Sequence, residues 1–377
     1  MAERILLFDM DGVLLDPRGY HRALQKTVHL TGQALGYPKI TLPQDIIHRF
    51  EASGITSEWD SSAVCLGLML KAGWQAGLPL QVPRELAPQT RSRHGLPAPD
   101  WAEFLTRLNA DGLPGSPLER GLSLLQQDLS RPQRKIIAGL VENAHSPAES
   151  LTHRIFQELV LGSSVYQATY DRQPALNTPG FLTKHDRPSL PKGQLQALKD
   201  WLAAEGHRAA ILTNRPSQPP PPLFGTPEAE LGAALVELDD LPLAGYGQML
   251  WTAHQLQLSV EACRKPNPVH ALSALQLAAG LDEQKALLSA GKLAHQGQVN
   301  ESWEAFHQAE VVVFEDTPPG LESVRSARNL LQNSGIHLKL DLVGISRDPQ
   351  KKEVLARRGA AIYPALGPAL KDRLGRR

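Results

Sequence analysis

The chain opens MAERILLFDMDGVLLD (residues 1–16), and this stretch decides how the rest is read. Ile5 to Phe8 are apolar without interruption, the pattern of a parallel strand buried on both faces. The run stops at Asp9, and a second aspartate, Asp11, precedes Gly12. Carboxylates at the end of a buried strand are costly unless they are paired or bound to a metal. The remainder of the chain has to supply what stabilises them.

Four more segments share the doubly apolar character: 208–214 (RAAILTN), 311–316 (VVVFED), 340–346 (LDLVGIS) and 360–366 (AAIYPAL). Amphipathic segments separate most of them: 191–206 ending at Gly206, 317–331, and 348–359, where Asp348-Pro349 makes a good helix start. Strands alternating with helices imply an open, doubly wound α/β sheet. Between the first two strands lie roughly two hundred residues, far more than a helical crossover requires. Helical patterns fill this stretch at 17–35, 61–77, 98–112, 116–129 and 146–162, with a Pro-rich, basic loop expected over about 80–98. It reads as an inserted, mainly helical domain. The expected division is 1–16 with 190–377 for the sheet domain and 17–189 for the insert.

Composition narrows the function classes. The chain has 377 residues, 42% hydrophobic and 21% charged, enough for a sizeable core. Its 39 basic and 39 acidic residues cancel, so no field favours nucleic acid or an anionic membrane. Cys65 and Cys263 are far apart and in no ligand spacing, which suits a reducing compartment. No run of about eighteen apolar residues suggests a transmembrane helix. A cytoplasmic protein is expected. The segment 216–227, with four prolines at 219–222, reads as an extended surface spacer, with a protein docking site as the lesser alternative. A polar insertion around 294–308 carries no motif.

Ligands of an open α/β sheet gather beyond the carboxyl ends of its strands. Asp9 and Asp11 stand at the first, Thr213 and Asn214 at the second, Glu315 and Asp316 at the third, and Lys265 lies in a KPNP turn before a helix. Four carboxylates repel one another, and one lysine cannot neutralise them. A hard divalent cation can, and Mg²⁺ pairs with oxygen ligands and substrate phosphate.

In these residues the chain resembles the haloacid dehalogenase superfamily: Asp9-Met10-Asp11-Gly12-Val13 as its first motif, Ile211-Leu212-Thr213-Asn214 as its second, Lys265 as its third, and Glu315-Asp316 followed by Gly320 as its fourth. The resemblance covers the sheet domain and thins out in the insert. It implies a Rossmannoid catalytic core with a helical cap. It further implies a Mg²⁺-dependent phosphatase hydrolysing a small organic phosphate monoester through an aspartyl-phosphate on Asp9. Asp11 would be the acid/base, Thr213 and Asn214 the phosphate contacts, and Lys265 the charge partner of Asp9. Asp9, the Asp11 carbonyl and Asp316 would bind Mg²⁺, with Glu315 close by. An aspartate at position 11 points within the superfamily to a phosphatase or a phosphomutase.

The insert resembles the cap of β-phosphoglucomutase and phosphoglycolate phosphatase relatives. Asp16 falls at the hinge, His21 on the first cap helix, and Gly54 in the loop 50–62 that would select substrate. Where the mutases carry cations, this loop has Ser53 and Ser57, which favours the phosphatase. Bland readings stand beside these: His21 as a solvated histidine, Trp59 as core, Arg215 as a surface ion pair and His270 as structural. The competing functions are a sugar phosphomutase, and a scaffold that keeps an inherited site while the insert binds a protein.

Overall fold

The computed structural model describes residues 3–86, 96–110 and 114–375. Part of the loop expected over about 80–98, and the end of the helical pattern at 98–112, lie outside the described residues. The chain divides into two units: Met1–Pro17 with Asp186–Arg377, and Arg18–His185.

The first unit is built on a six-stranded sheet. Its strands are β1 (Arg4–Phe8), β4 (His207–Leu212), β5 (Leu243–Ala244), β6 (Glu310–Glu315), β7 (Lys339–Ile345) and β8 (Ala361–Tyr363). They run in the order β5-β4-β1-β6-β7-β8, and every pairing is parallel. Two further short strands, β2 (Leu15–Asp16) and β3 (Arg187–Pro188), form an antiparallel pair in which Asp16 faces Arg187. This pairing, with the Ser189 amide donating to the Leu14 carbonyl, groups Asp186–Ser189 with the sheet rather than with the helices before them.

Side chains alternate across the central strands. Ile5, Leu7, Ala210, Leu212, Val311 and Val313 face one core, shared with Leu272, Leu275, Leu321 and Val324 of the helices Pro268–Ala278 and Pro318–Asn333. Leu6, Phe8, Ala209, Ile211, Val312 and Phe314 face the other, against Leu195, Leu198, Ala229 and Leu370 of three further helices. The fold is thus an α/β sheet covered on both faces, as the sequence implies. The two-residue β5 escapes sequence reading because it is too short to show a period. The 294–308 insertion ends the helix Glu283–Gln296 and forms a 3₁₀ segment, Glu301–Phe306, that buries Trp303 and Phe306 completely.

The Pro-rich segment corrects the surface-spacer reading. Pro219 and Pro220 are buried, the Gln218 carbonyl accepts from Gln248, and the Pro221 carbonyl accepts from Trp251 Nε1. Apolar proline rings offer area to bury, and Pro219 and Pro220 do so beside the helix Tyr246–Leu256, while Pro221 and Pro222 are exposed.

The second unit holds nine helices among the described residues, from Gly19–Leu35 to Phe181–His185. Gly19–Leu35, Glu58–Gln75 and Leu151–Leu161 pack on one another around Leu24, Leu66, Met69 and Phe156. Local signals fix several starts. Ser116 and Glu119 form a capping box, and Ser150 accepts from the His153 amide. The helix Arg131–Glu142 has no counterpart among the patterns expected from the sequence. No helix among the described residues is long and apolar enough to cross a membrane.

Candidate active site

β1 and β6 are neighbours in register, Leu7 opposite Val313 and Phe8 opposite Phe314. Side-chain alternation then carries Asp9 and Glu315 toward the same face as Ile5, Leu7, Val311 and Val313. The helix Pro268–Ala278 packs on that face, and the turn before it delivers Lys265. Its Nζ donates to Asp9 Oδ1 at 2.8 Å and to Glu315 Oε2 at 2.7 Å, with all three side chains buried.

The remaining oxygens have distinct fates. Glu315 Oε1 accepts from the Asp316 and Thr317 amides, both at 3.0 Å, and from the Thr317 hydroxyl at 2.8 Å. Both Glu315 oxygens are therefore committed. Thr317 in turn caps the helix Pro318–Asn333 through the Gly320 amide. A side chain at Gly320 would run into Glu315 Oε2. Asp316 Oδ2 forms an ion pair with Lys351 Nζ from the helix Pro349–Arg357. Asp316 also lies so close to Gly12 that a Cβ there would collide with its carboxylate, and Gly12 has φ +79°. Two independent constraints thus call for glycine at position 12.

Electrostatics follow from burial. Asp9 is pushed well above the usual carboxylate range by desolvation and by Glu315, with Lys265 pulling against them. Burial raises Asp316 to about 6, although Lys351 opposes it. For Lys265, burial disfavours the ammonium, but Asp9 and Glu315 outweigh it and hold the pKa above the ordinary lysine value. Asp9, Glu315 and Asp316 each offer an oxygen, and these lie within 4.8 Å of one another. Three carboxylates against two ammonium groups leave negative charge in a mostly buried place, and all the donors are hard oxygens. This donor set fits a metal ion that takes oxygen ligands, which the three carboxylates could hold.

Asp11 does not continue the strand geometry that would set it beside Asp9. The chain leaves β1 in a single turn: the Met10 carbonyl accepts from the Leu14 and Leu15 amides, and the Gly12 amide donates to the Leu15 carbonyl. The Asp11 carboxylate is not in the three-carboxylate group. It faces Arg215, whose Nε stands 2.9 Å from both of its oxygens. Arg215 is not a surface ion pair: its side chain is 1% exposed, and it also binds the fully buried Asp186 at 2.8 Å.

Thr213 is buried, and its Oγ1 accepts from the Arg215 amide at 3.2 Å, while Asn214 is exposed. His270 Nδ1 accepts from the Lys265 amide at 3.2 Å and Nε2 donates to the Ala244 carbonyl at 2.9 Å, a structural part as expected.

Within the helical unit, His21 Nε2 bonds Glu51 at 2.8 Å and Nδ1 accepts from Gln44 at 2.7 Å. The Glu51 hydrogen bond raises the His21 pKa against the effect of burial. Gly54 has φ +85°, and a Cβ there would meet Pro117 at 2.8 Å. The loop hydroxyls are used locally: Ser53 donates to the Arg49 carbonyl and Ser57 caps the helix Glu58–Gln75. Trp59 packs against His153 and His145.

The sequence reading missed Asp186 and Lys351. Asp186 sits at the close of the insert and has no motif. Lys351 lies in a plain DPQKK helix start, and only the adjacency of β6 and β7 brings it to Asp316.

No protein-family model and no curated protein matches the sequence. Two solved structures do match. The X-ray structure of Northeast Structural Genomics Consortium target ZR25 is 15% identical over 99% of both chains, with a TM-score of 0.66, so the chain shares its fold. The phosphatase Tt82 from Thermococcus thioreducens is 15% identical over 93% of this chain and 99% of its own, but its TM-score of 0.42 is too low to bear on the reading.

Proposed function

We propose that the sheet unit is a divalent-metal-dependent phosphohydrolase of the haloacid dehalogenase type, acting on a small organic phosphate monoester. One observation carries this reading: Lys265 bridges Asp9 and Glu315 while Asp316 closes on Gly12, so residues of the first, third and fourth matched motifs form one charged cluster at the strand ends.

Phosphoryl transfer asks a protein chiefly for positioning and charge stabilisation. Asp9, held by Lys265 through Oδ1, presents its other oxygen to phosphorus as the nucleophile. The leaving oxygen takes a proton from Asp11, and Asp9 carries the phosphoryl group as an acyl phosphate. Asp11 then takes a proton from water, whose oxygen attacks phosphorus, and the bond to Asp9 breaks to release inorganic phosphate. Lys265 and the Thr213 hydroxyl offset charge on the phosphoryl oxygens. A cation held by Asp9 and Asp316 would supply charge neutralisation to the transferring group.

The test is release of phosphate from p-nitrophenyl phosphate and from a panel of metabolite phosphates, with and without Mg²⁺. Mg²⁺-dependent release, abolished by Asp9→Asn with the thermal transition preserved, is the expected outcome. Full turnover in Asp9→Asn sinks the reading, and isomerisation of a sugar phosphate without free phosphate replaces it with a mutase.

A further inference from the structure

Arg215 belongs to neither the matched motifs nor the three-carboxylate group. It joins three separate pieces of chain: the turn after β1 through Asp11, the loop after β4 through its own backbone, and the segment leading into β3 through Asp186. Its Nη2 contacts both Asp11 Oδ1 and Asp186 Oδ2, while Nε reaches both Asp11 oxygens. The two carboxylates are not equivalent. Asp186 is 0% exposed and Asp11 is 36% exposed at the side chain.

This asymmetry has a consequence. An uncompensated buried charge is strongly unfavourable, so a guanidinium with a single carboxylate could not release it. Here Asp186 gives Arg215 a second, fully buried carboxylate beside Asp11. The fork also fixes the Asp11 carboxylate in one orientation, as bidentate Arg–carboxylate geometry does. Asp11 sits on a turn that a positive-φ glycine follows.

From this geometry we infer that Arg215 is a positioning residue for Asp11, holding and releasing its carboxylate, with Asp186 as the permanent counter-charge that makes release possible. The inference rests on the phosphohydrolase reading, in which Asp11 transfers a proton in both steps. Lysine at 215 keeps the charge against Asp186 but loses the fork. Asparagine at 186 keeps the fork but removes the buried counter-charge.

Nitrophenolate departs without a proton, whereas phenolate needs one. Loss of Asp11 placement therefore spares phosphorylation of Asp9 by p-nitrophenyl phosphate and slows the attack of water. The experiment is rapid-quench kinetics on the full chain with Mg²⁺, comparing wild type, Arg215→Lys and Asp186→Asn, each with a matching thermal transition. Both variants should give a nitrophenolate burst and a larger phosphorylated fraction than wild type in acid-quenched samples. Their steady rate should be about 10- to 100-fold lower, with KM falling alongside it and kcat/KM for p-nitrophenyl phosphate held, a partial loss of the about 10²–10⁴-fold that proton transfer contributes. Phenyl phosphate should give no burst. Either folded variant decides. A phosphorylated fraction no larger than that of wild type, whether turnover is unchanged or uniformly lower, overturns the positioning role. A wild type that releases no phosphate from any ester with Mg²⁺ overturns the phosphohydrolase reading itself and this inference with it.

Discussion

Lys265 is the residue on which the charge balance of the cluster turns. Its ammonium is buried between Asp9 and Glu315 and donates to both. Removing one partner from a buried ionic group leaves charge without compensation, at a cost of about 3–5 kcal/mol. Lys265→Met keeps most of the side chain's length and removes the ammonium with its two hydrogen bonds. It should lower the unfolding free energy in urea by about that amount at neutral pH. An unchanged urea midpoint would show that the two carboxylates are not held by this lysine. The residues of this cluster were legible because each stands at the end of an apolar strand or in a KPNP turn. The partner of Asp11 was not. Arg215 follows Thr213-Asn214 in the sequence, but nothing local shows that it turns inward toward Asp186, which is 29 residues away in the chain.

At the scale of elements, the helix Pro268–Ala278 ties the Lys265 turn to the sheet edge. His270 makes this joint, accepting from the Lys265 amide and donating to the β5 carbonyl of Ala244. Burial, then the charges of Lys265 and Arg264, hold its pKa down to about 3, while the Ala244 hydrogen bond acts in the opposite direction. An unfolded histidine titrates near about 6.5, so between about 6.5 and about 3 the unfolded chain binds the extra proton. The stability owed to neutral His270 is complete above that window and falls as pH drops through it. At about pH 5 the loss should reach about 2 kcal/mol. His270→Gln can accept and donate at the same two places without titrating. Urea midpoints measured across this range should therefore fall less steeply with acid in the variant than in wild type; parallel curves would reject the account. Element-scale reading succeeded where a period was long enough to see, as for the five longer strands. It failed for the Pro-rich segment, because composition reports chain stiffness and not the groove of Trp251 and Gln248 that receives it.

At the scale of the molecule, the insert enters and leaves through one antiparallel pair. Leu15 faces Pro188 and Asp16 faces Arg187, so residues 17 and 186 stand at the open end of a two-stranded ribbon. Among the described residues, the two apolar cores of the sheet unit draw on residues of Met1–Pro17 and Asp186–Arg377. A chain lacking 18–185 can then be closed by the shortest favoured hairpin, Asn-Gly between Pro17 and Asp186, whose twist suits flanking strands. Because Asp9, Lys265, Glu315 and Asp316 all lie in the retained part, the shortened chain should unfold cooperatively and keep its metal response. Saturation at about 100 times the dissociation constant should stabilise it by about 2.7 kcal/mol, as a rise in melting temperature that EDTA reverses. Loss of the cooperative transition would show that the sheet unit needs the helical unit to fold. A cooperative transition indifferent to Mg²⁺, Mn²⁺ and EDTA would instead remove the cation from the carboxylate cluster, leaving Lys265 and Lys351 as its whole counter-charge.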